Sequence, residues 1–313
     1  MKAAAVVVNF NGGGDLERCL AALAAQTERV DVVLVDCAST DGSRALAERP
    51  PAGVVGVPLA DNRGYAGGCN AGLAAAGDAE VVGFFNPDCF PRPDLFAVVV
   101  RRLAGDGTVG GVAPRLERDD GITLDSCGQV LSPWLLMVRD RGYGEPAAGA
   151  YPEPARVLAA CGAGMVYRRA ALESVAVDGE VFPSEYFAFW EDLDLGWRVR
   201  NAGWQVVYEP TAVAVHRRGT TAEPGRGRLI FRRSPRLAAG IVVNRWATLL
   251  RNLHAVDFLR RLPVLLLADT AMTMTLLARR PAVAPALLRA LPRLRLARRQ
   301  RRVLPRRRLR ELG

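Results

Sequence analysis

Two adjacent carboxylates, Glu191 and Asp192, follow the aromatic run Tyr186-Phe187-Ala188-Phe189-Trp190. Carboxylates against aromatic surface are poorly solvated, which raises their pKa toward the range a general base needs. Asp194 and Arg198, at i,i+4 spacing just beyond, suit an ordinary helix ion pair. Upstream, Asn86-Pro87-Asp88 sets an amide and a carboxylate on one tight turn behind the apolar run Val81–Phe85. A divalent cation already holding diphosphate oxygens takes one or two such carboxylates, and a plain type I turn uses the same residues. His216, one of two histidines, closes another apolar run and reads either as a metal ligand or as a strand-end histidine.

A second group of residues has the character of a nucleotide site. Asp36 ends a run of β-formers and precedes the turn-forming Ser39-Thr40-Asp41-Gly42-Ser43. At a strand tip its carboxylate can accept from a base N–H or a ribose hydroxyl, whereas Asp41 and Ser43 suit a turn or helix cap. Residues 62–72 place four glycines around Arg63, Asn62 and Asn70 just before a helical pattern. Glycines admit close backbone approach and arginine pairs with phosphate or base carbonyls, but the spacing matches neither GxGxxG nor a P-loop.

These residues need a scaffold that brings strand ends together. Over the first half, short apolar runs alternate with helical patterns in a βαβαβ rhythm, which predicts a mostly parallel, Rossmann-like sheet with flanking helices. In such sheets ligands bind beyond the carboxyl ends of the strands, which marks the loops at residues 9–14, 36–43 and 86–89. Residues 105–160 look looser, with Gly and Pro between short apolar pieces, and are expected to be irregular or antiparallel, with no catalytic residue assigned. A helix is expected over residues 188–202, then short strands at 206–208 and 212–215 delivering His216, then a mobile loop over residues 217–235. Two units follow: residues 1–220, and residues 221–313 as loop plus basic helical extension.

The 313 residues are half hydrophobic and 24% charged, enough for a substantial core, and the composition excludes disorder and disulfide miniproteins. Charge is uneven. Residues 1–216 hold 18 Lys/Arg against 28 Asp/Glu, and residues 217–313 hold 24 against 4. Six scattered cysteines without a CxxC pair predict free thiols in a reducing cytoplasm. Residues 262–278 are the one stretch near transmembrane length, and Asp269 within it favours a helix packed on protein or lying on a membrane. The arginine-rich end lacks interleaved aromatics, so nucleic acid is not an expected partner.

Taken in order, Val6-Val7-Val8-Asn9-Phe10-Asn11, Val35 to Ser43, the 62–72 segment, Asn86-Pro87-Asp88, Cys161-Gly162-Ala163-Gly164-Met165, Trp190-Glu191-Asp192-Leu193-Asp194 and His216 resemble the family 2 glycosyltransferases, particularly rhamnosyltransferase-like members. The resemblance spans residues 4–220. It implies a GT-A fold, an inverting mechanism, a nucleotide-diphosphate sugar donor and a Mg²⁺ or Mn²⁺ cofactor. By position, Asn9, Asp36, Arg63 and Asn86 would bind the nucleotide, Asp88 and His216 the metal, and Asp192 would be the catalytic base. Met165, Trp190 and Glu191 would shape the sugar and acceptor pocket. Asn86 replaces the first acid of the family's DxD motif, and Cys37 stands where asparagine is common.

The implied reaction moves a sugar, rhamnose from dTDP-rhamnose, to a hydroxyl of a cell-wall, polysaccharide or lipid-linked acceptor, by a cytoplasmic enzyme peripheral at an anionic membrane surface. The alternatives are a non-catalytic nucleotide-sugar or glycan-binding descendant and a sugar-1-phosphate nucleotidyltransferase. The latter generally needs a catalytic lysine, and Lys2 is the only lysine. The sequence does not fix the oligomeric state.

Overall fold

The computed structural model describes residues 1–218 and 230–312. Its strands are β1 (Ala3–Asn9), β2 (Val30–Asp36), β3 (Val54–Pro58), β4 (Val81–Phe85), β5 (Cys89–Pro91), β6 (Val109–Arg118), β7 (Leu124–Ser126), β8 (Gln129–Leu131), β9 (Val138–Asp140), β10 (Ala155–Arg156), β11 (Gly164–Arg168) and β12 (Gln205–His216). The larger helices of the first 218 residues are α1 (Gly13–Ala24), α2 (Ala45–Glu48), α3 (Gly64–Ala75), α4 (Leu95–Gly105), α5 (Arg169–Glu173) and α6 (Glu191–Asn201).

One sheet runs β10-β12-β6-β11-β4-β1-β2-β3. Strands β3, β2, β1 and β4 are mutually parallel, as the βαβαβ rhythm predicts, and β11 enters antiparallel between β4 and β6. The sheet is therefore mixed. Apolar residues on its two faces form two separate cores, one holding Val6, Val8, Val33 and Phe84, the other Ala5, Val7, Leu34 and Phe85. This alternation along β1 and β4 is what a sheet covered on both faces requires.

The register decides where the chemistry gathers. Asn9 pairs with Asp36 across β1 and β2, and Val7 pairs with Phe85 across β1 and β4, so all three strands end at one edge. In α3 the glycines serve packing. A Cβ at Gly72 would lie 2.1 Å from a Val6 methyl, so the helix rests directly on β1.

Residues 105–160 depart from expectation. They contain β6, a ten-residue strand whose first eight residues are buried, in the middle of the sheet. Its glycines hid the strand pattern because they make room for neighbours: a Cβ at Gly111 would sit 2.5 Å from the Tyr167 ring. The two strands expected at 206–208 and 212–215 are one strand, β12, with a register irregularity between Glu209 and Val213.

Beyond the undescribed residues 219–229, where most of the expected mobile loop lies, come α7 (Pro235–Asn252), α8 (Ala255–Arg279), α9 (Ala284–Ala290), α10 (Pro292–Gln300) and α11 (Leu309–Leu312). Ser234 caps α7 and accepts from Leu237 N–H at 3.4 Å, with Pro235 at the first position, where a missing N–H costs nothing. Helix α7 docks on α6 through Trp197, Leu249 and Leu253, and α8 joins the same cluster through Leu265. The α7 surface toward the sheet domain is also polar. Arg251 donates to Asp194 at 2.9 Å and to the Tyr186 hydroxyl at 2.9 Å, and Asn252 donates to Asp194 at 2.8 Å.

Candidate active site

The carboxyl-terminal edge of β1, β2 and β4 is laced together by Asn9. Its amide nitrogen donates to Asp36 at 2.8 Å, Ser39 at 3.1 Å and Ser43 at 2.8 Å, and its oxygen accepts from Gly12 N–H at 3.1 Å. Asp36 in turn accepts from Ser39 N–H at 2.9 Å and Ser39 O–H at 2.6 Å. Both residues are 0% exposed. Asn9 and Asp36, both expected to bind the nucleotide, thus bond the neighbouring loops and shape them. Arg63, at the N-terminus of α3, is different, with a side chain 56% exposed and one ion pair, to the exposed Asp61 at 3.2 Å. Phe10, just past β1, is 50% exposed at the same edge.

Asn86, Pro87 and Asp88 form the turn between β4 and β5, closed by Cys89 N–H donating to Asn86 O at 3.1 Å. Because β5 pairs with the end of β12, this turn meets His216. Asp88 Oδ1 lies 3.4 Å from His216 Nε2, and Asp125 Oδ2 lies 2.8 Å from His216 Nδ1. Burial works against a charged ring, but the hydrogen bonds to Asp125 and Asp88 outweigh it and push His216 up to about 9. Burial likewise disfavours the Asp125 carboxylate, yet His216 and Arg218 hold it below its ordinary value. The Arg218 guanidinium bonds Asp125, reaches Asp140 at 3.5 Å and stacks on Tyr143.

This donor set fits a divalent cation. A carboxylate and an imidazole nitrogen face each other, and the opposite ring nitrogen is anchored by a buried aspartate, the partner that usually orients a metal-bound histidine. Among the described residues no group of three or more His, Cys, Asp or Glu side chains is placed to hold an ion. Asp88 and His216 would leave the remaining positions of such an ion to phosphate oxygens and water, as is usual for Mg²⁺.

Asp192, at the start of α6, is held in place by three donors. Gln129 Nε2 at 2.9 Å and Gly162 N–H at 2.8 Å bond Oδ2, and Leu193 N–H bonds Oδ1 at 2.8 Å. Burial raises its pKa, and the three donors offset part of that rise. Asp192 is half-buried as a residue, whereas Glu191 is 6% exposed with Oε2 lacking any hydrogen-bond partner. Burial first, and the neighbouring Asp192 charge second, raise Glu191 to about 8. The charges of Asp125, Asp140 and Asp192 all act on the Cys161 thiol, which burial pushes well up. Asp192 and the aspartates around His216 thus act electrostatically on one residue.

The approach to Asp192 is conformationally strained. Phe187, Phe189 and Trp190 have φ of 64°, 71° and 76°, all in the left-handed region that bulky residues avoid. Two elements hold them there. Ala66 N–H, near the start of α3, donates to Phe187 O at 3.2 Å, and Gly64, φ +69°, passes so close that a Cβ would lie 2.2 Å from that oxygen. From the other side, Asn244 of α7 points its amide nitrogen at Tyr186 O, Ala188 O and Phe189 O, at 3.0, 3.2 and 3.0 Å.

Of the residues expected to shape the sugar and acceptor pocket, Met165 is 0% exposed on β11, packed in the core beside Phe84. Trp190 and Glu191 are also buried, packing behind Asp192. Asp194 and Arg198 do form the ion pair that their spacing suggests, at 2.8 Å. The residues that sequence reading missed, Asp125, Gln129 and Asp140, come from the 105–160 region. Their signal was no more than a polar residue within or beside a short apolar run.

A mixed sheet with carboxylates, a histidine and a strained acidic turn gathered at one strand edge defines a GT-A-type sugar transferase. The chain belongs to glycosyl transferase family 2, whose family model matches residues 4–175. It is 30% identical over 239 residues to an N-acetylglucosaminyl-diphospho-decaprenol L-rhamnosyltransferase of Mycobacterium tuberculosis (strain ATCC 25618 / H37Rv), an alignment covering 67% of this chain and 74% of that protein. Among solved structures, GalNAc-T7 with UDP, GalNAc and Mn²⁺ matches with a TM-score of 0.62 at 15% identity, over 82% of this chain and 48% of the other. The mannosyltransferase PcManGT from Pyrobaculum calidifontis, with GDP-Man and Mn²⁺, matches with a TM-score of 0.55 at 21% identity, over 94% and 78%. S. aureus TarS 1-349 gives 0.52 at 16% identity, over 97% and 92%. At these identities the structural likeness speaks for the fold.

Proposed function

We propose that this glycosyltransferase moves L-rhamnose from dTDP-rhamnose, with inversion at the anomeric carbon, to a hydroxyl of a lipid-linked or cell-wall glycan acceptor. The sugar and the lipid-linked acceptor are suggested by the name of the mycobacterial relative. The observation that carries the mechanism is Asp192, a half-buried residue whose carboxylate has raised basicity and is fixed by three donors.

Oδ2 of Asp192 is occupied by two donors, so Oδ1, with one, is the atom that takes the acceptor's proton. As the hydroxyl oxygen bonds to the anomeric carbon, the bond from that carbon to the diphosphate breaks and the nucleoside diphosphate leaves. The exposed Arg63 and Phe10 would contact the nucleotide, in loops that Asn9 and Asp36 hold rigid, with Asn86 on the adjoining turn. Asp88 and His216 would hold Mg²⁺ or Mn²⁺, whose charge, when bound, stabilises the departing diphosphate. Arg218 adds a fixed positive charge beside them.

The test is a panel of nucleotide sugars offered with a polyprenyl-diphosphate acceptor and Mg²⁺ or Mn²⁺. We expect dTDP release with dTDP-rhamnose and glycosylation of the acceptor, both stopped by chelator. Release of inorganic diphosphate instead, or donor binding without turnover under every condition, would overturn the proposal.

A further inference from the structure

Helix α8 is amphipathic in the reverse sense. A helix on a soluble protein turns its apolar stripe inward and its charges to water. Here the acids face the protein: Asp257 and Asp269 are both buried, Asp257 bonded to Arg308 at 2.9 Å and Arg261 at 3.3 Å, and Asp269 to Arg245 at 3.0 Å. The opposite side carries Leu259, Leu266, Leu267 and Met274 into solvent, Leu267 at 76% exposure. The helix has 25 residues, so this face runs for about 37 Å. Trp134, 52% exposed, lies against its first turns, beneath Arg260 at 5.6 Å and Arg261 at 5.9 Å. Helix α8 is long and apolar enough to cross a bilayer. Its two acids, each paired to other elements of the fold, instead pin it lengthwise to the protein.

We infer that the outward face of α8, with Trp134 beside it, lies on the surface of an anionic lipid bilayer. Apolar side chains rimmed by arginine and flanked by an interfacial tryptophan are the chemistry of a helix lying in the headgroup plane. Exposed Arg260 and Arg279 stand near its ends, within a region of 24 basic and 4 acidic residues. Charge also selects the occupant. A twofold contact between two copies would set α8 against α8 and bring two strongly basic regions together, whereas anionic headgroups complement them.

Part of the arginine set of the C-terminal segment is spent on holding the fold together. Arg293 donates to Asn244 at 2.7 Å, Arg301 to Leu250 O and Leu253 O at 2.7 Å, and Arg308 to Asp257. These three are structural ties, and the apolar contact with lipid is assigned to α8, with exposed arginines such as Arg295, Arg298 and Arg299 adding positive charge nearby.

The test combines Leu259→Ser, Leu267→Ser and Met274→Ser in the full chain and measures co-sedimentation with phosphatidylglycerol/phosphatidylcholine vesicles and with pure phosphatidylcholine vesicles. The wild-type protein should pellet with the phosphatidylglycerol vesicles, more weakly as salt rises, and the triple variant should bind them about tenfold or more weakly. Melting temperature and nucleotide binding should stay as in wild type, because all three side chains are exposed. Fluorescence of the wild-type protein gives an independent reading: brominated lipid should quench it, and Trp134→Phe should remove most of that quenching. Equal vesicle binding by variant and wild type, no binding by wild type to either vesicle, or a dimer that the triple variant dissociates without any change in vesicle binding would overturn the inference.

Discussion

Replacing Glu191 by glutamine isolates the electrostatic cost of the acidic turn. The Glu191 carboxyl is 6% exposed, has an unpartnered Oε2, and is raised from 4.5 to about 8. A raised acid is protonated in the native state, so the stability it permits is fully present below 4.5 and is lost as pH climbs through about 8. A gap of this size corresponds to roughly 5 kcal/mol at the alkaline limit, and relaxation of a real site reduces that figure. Glutamine keeps the shape and cannot ionise. Glu191→Gln and the wild type should therefore have similar stability at pH 5, and the variant should gain at least about 2 kcal/mol on it by pH 8.5. The assay is a series of urea midpoints for both proteins between pH 5 and 9 in metal-free buffer. His216, also raised, is common to both and cancels in the difference. Because the Asp192 charge contributes to the rise, the same comparison in an Asp192→Asn background should give a smaller gain. A difference curve flat across this range would show that Glu191 ionises like a surface acid, and the account of the turn would fail.

Asp192→Asn should lower transfer by about 10²–10⁴-fold with donor affinity nearly unchanged, read from turnover and from nucleotide-sugar titration. Asp125→Asn removes the carboxylate behind His216 and should weaken Mn²⁺ binding by about 10–100-fold, measured by direct metal titration in the presence of nucleoside diphosphate. Asn244→Ala leaves the Tyr186, Ala188 and Phe189 carbonyls without their shared donor and should cost about 2–4 kcal/mol in urea unfolding. It should also lower kcat more than the KM for donor; a loss of stability with kcat intact would restrict Asn244 to a packing role.

The parallel half of the sheet was legible because βαβ units carry their own periodicity, and because Asn9 and Asp36 end β1 and β2 and Asn86 follows β4, marking the loop edge. Asp88, Asp192 and His216 could be named for the same reason, each standing at the boundary of a patterned element. Asn9 and Asp36 were legible as positions, while their bonds to Ser39 and Ser43 were not, since sequence does not show which neighbours a polar side chain reaches. Asp125, Gln129 and Asp140 were not legible. They sit on strands of three residues, too short for periodicity: β7, paired with β6, carries Asp125, and the separate β8-β9 hairpin carries Gln129 and Asp140. Glycine at positions 110 and 111 concealed that strand while serving its packing against Trp204 and Tyr167.

Asn244 and Arg245 are consecutive residues of α7 with opposite assignments. Asn244 grips the left-handed turn before Asp192, and Arg245 grips Asp269 of α8 together with the carbonyls of Leu135 and Leu136 beside Trp134. One peptide bond therefore separates the brace of the base from the brace of the lipid-facing helix. The working transferase is not coextensive with residues 4–175, the part that carries the family pattern. A chain ending at residue 218 would keep Asp88, Asp192 and His216, and the Ala66 contact to Phe187, but lose the Asn244 amide that holds the turn from the other side. Such a shortened protein should bind nucleotide and fail to turn over, even when its acceptor is dissolved in water and no membrane is involved.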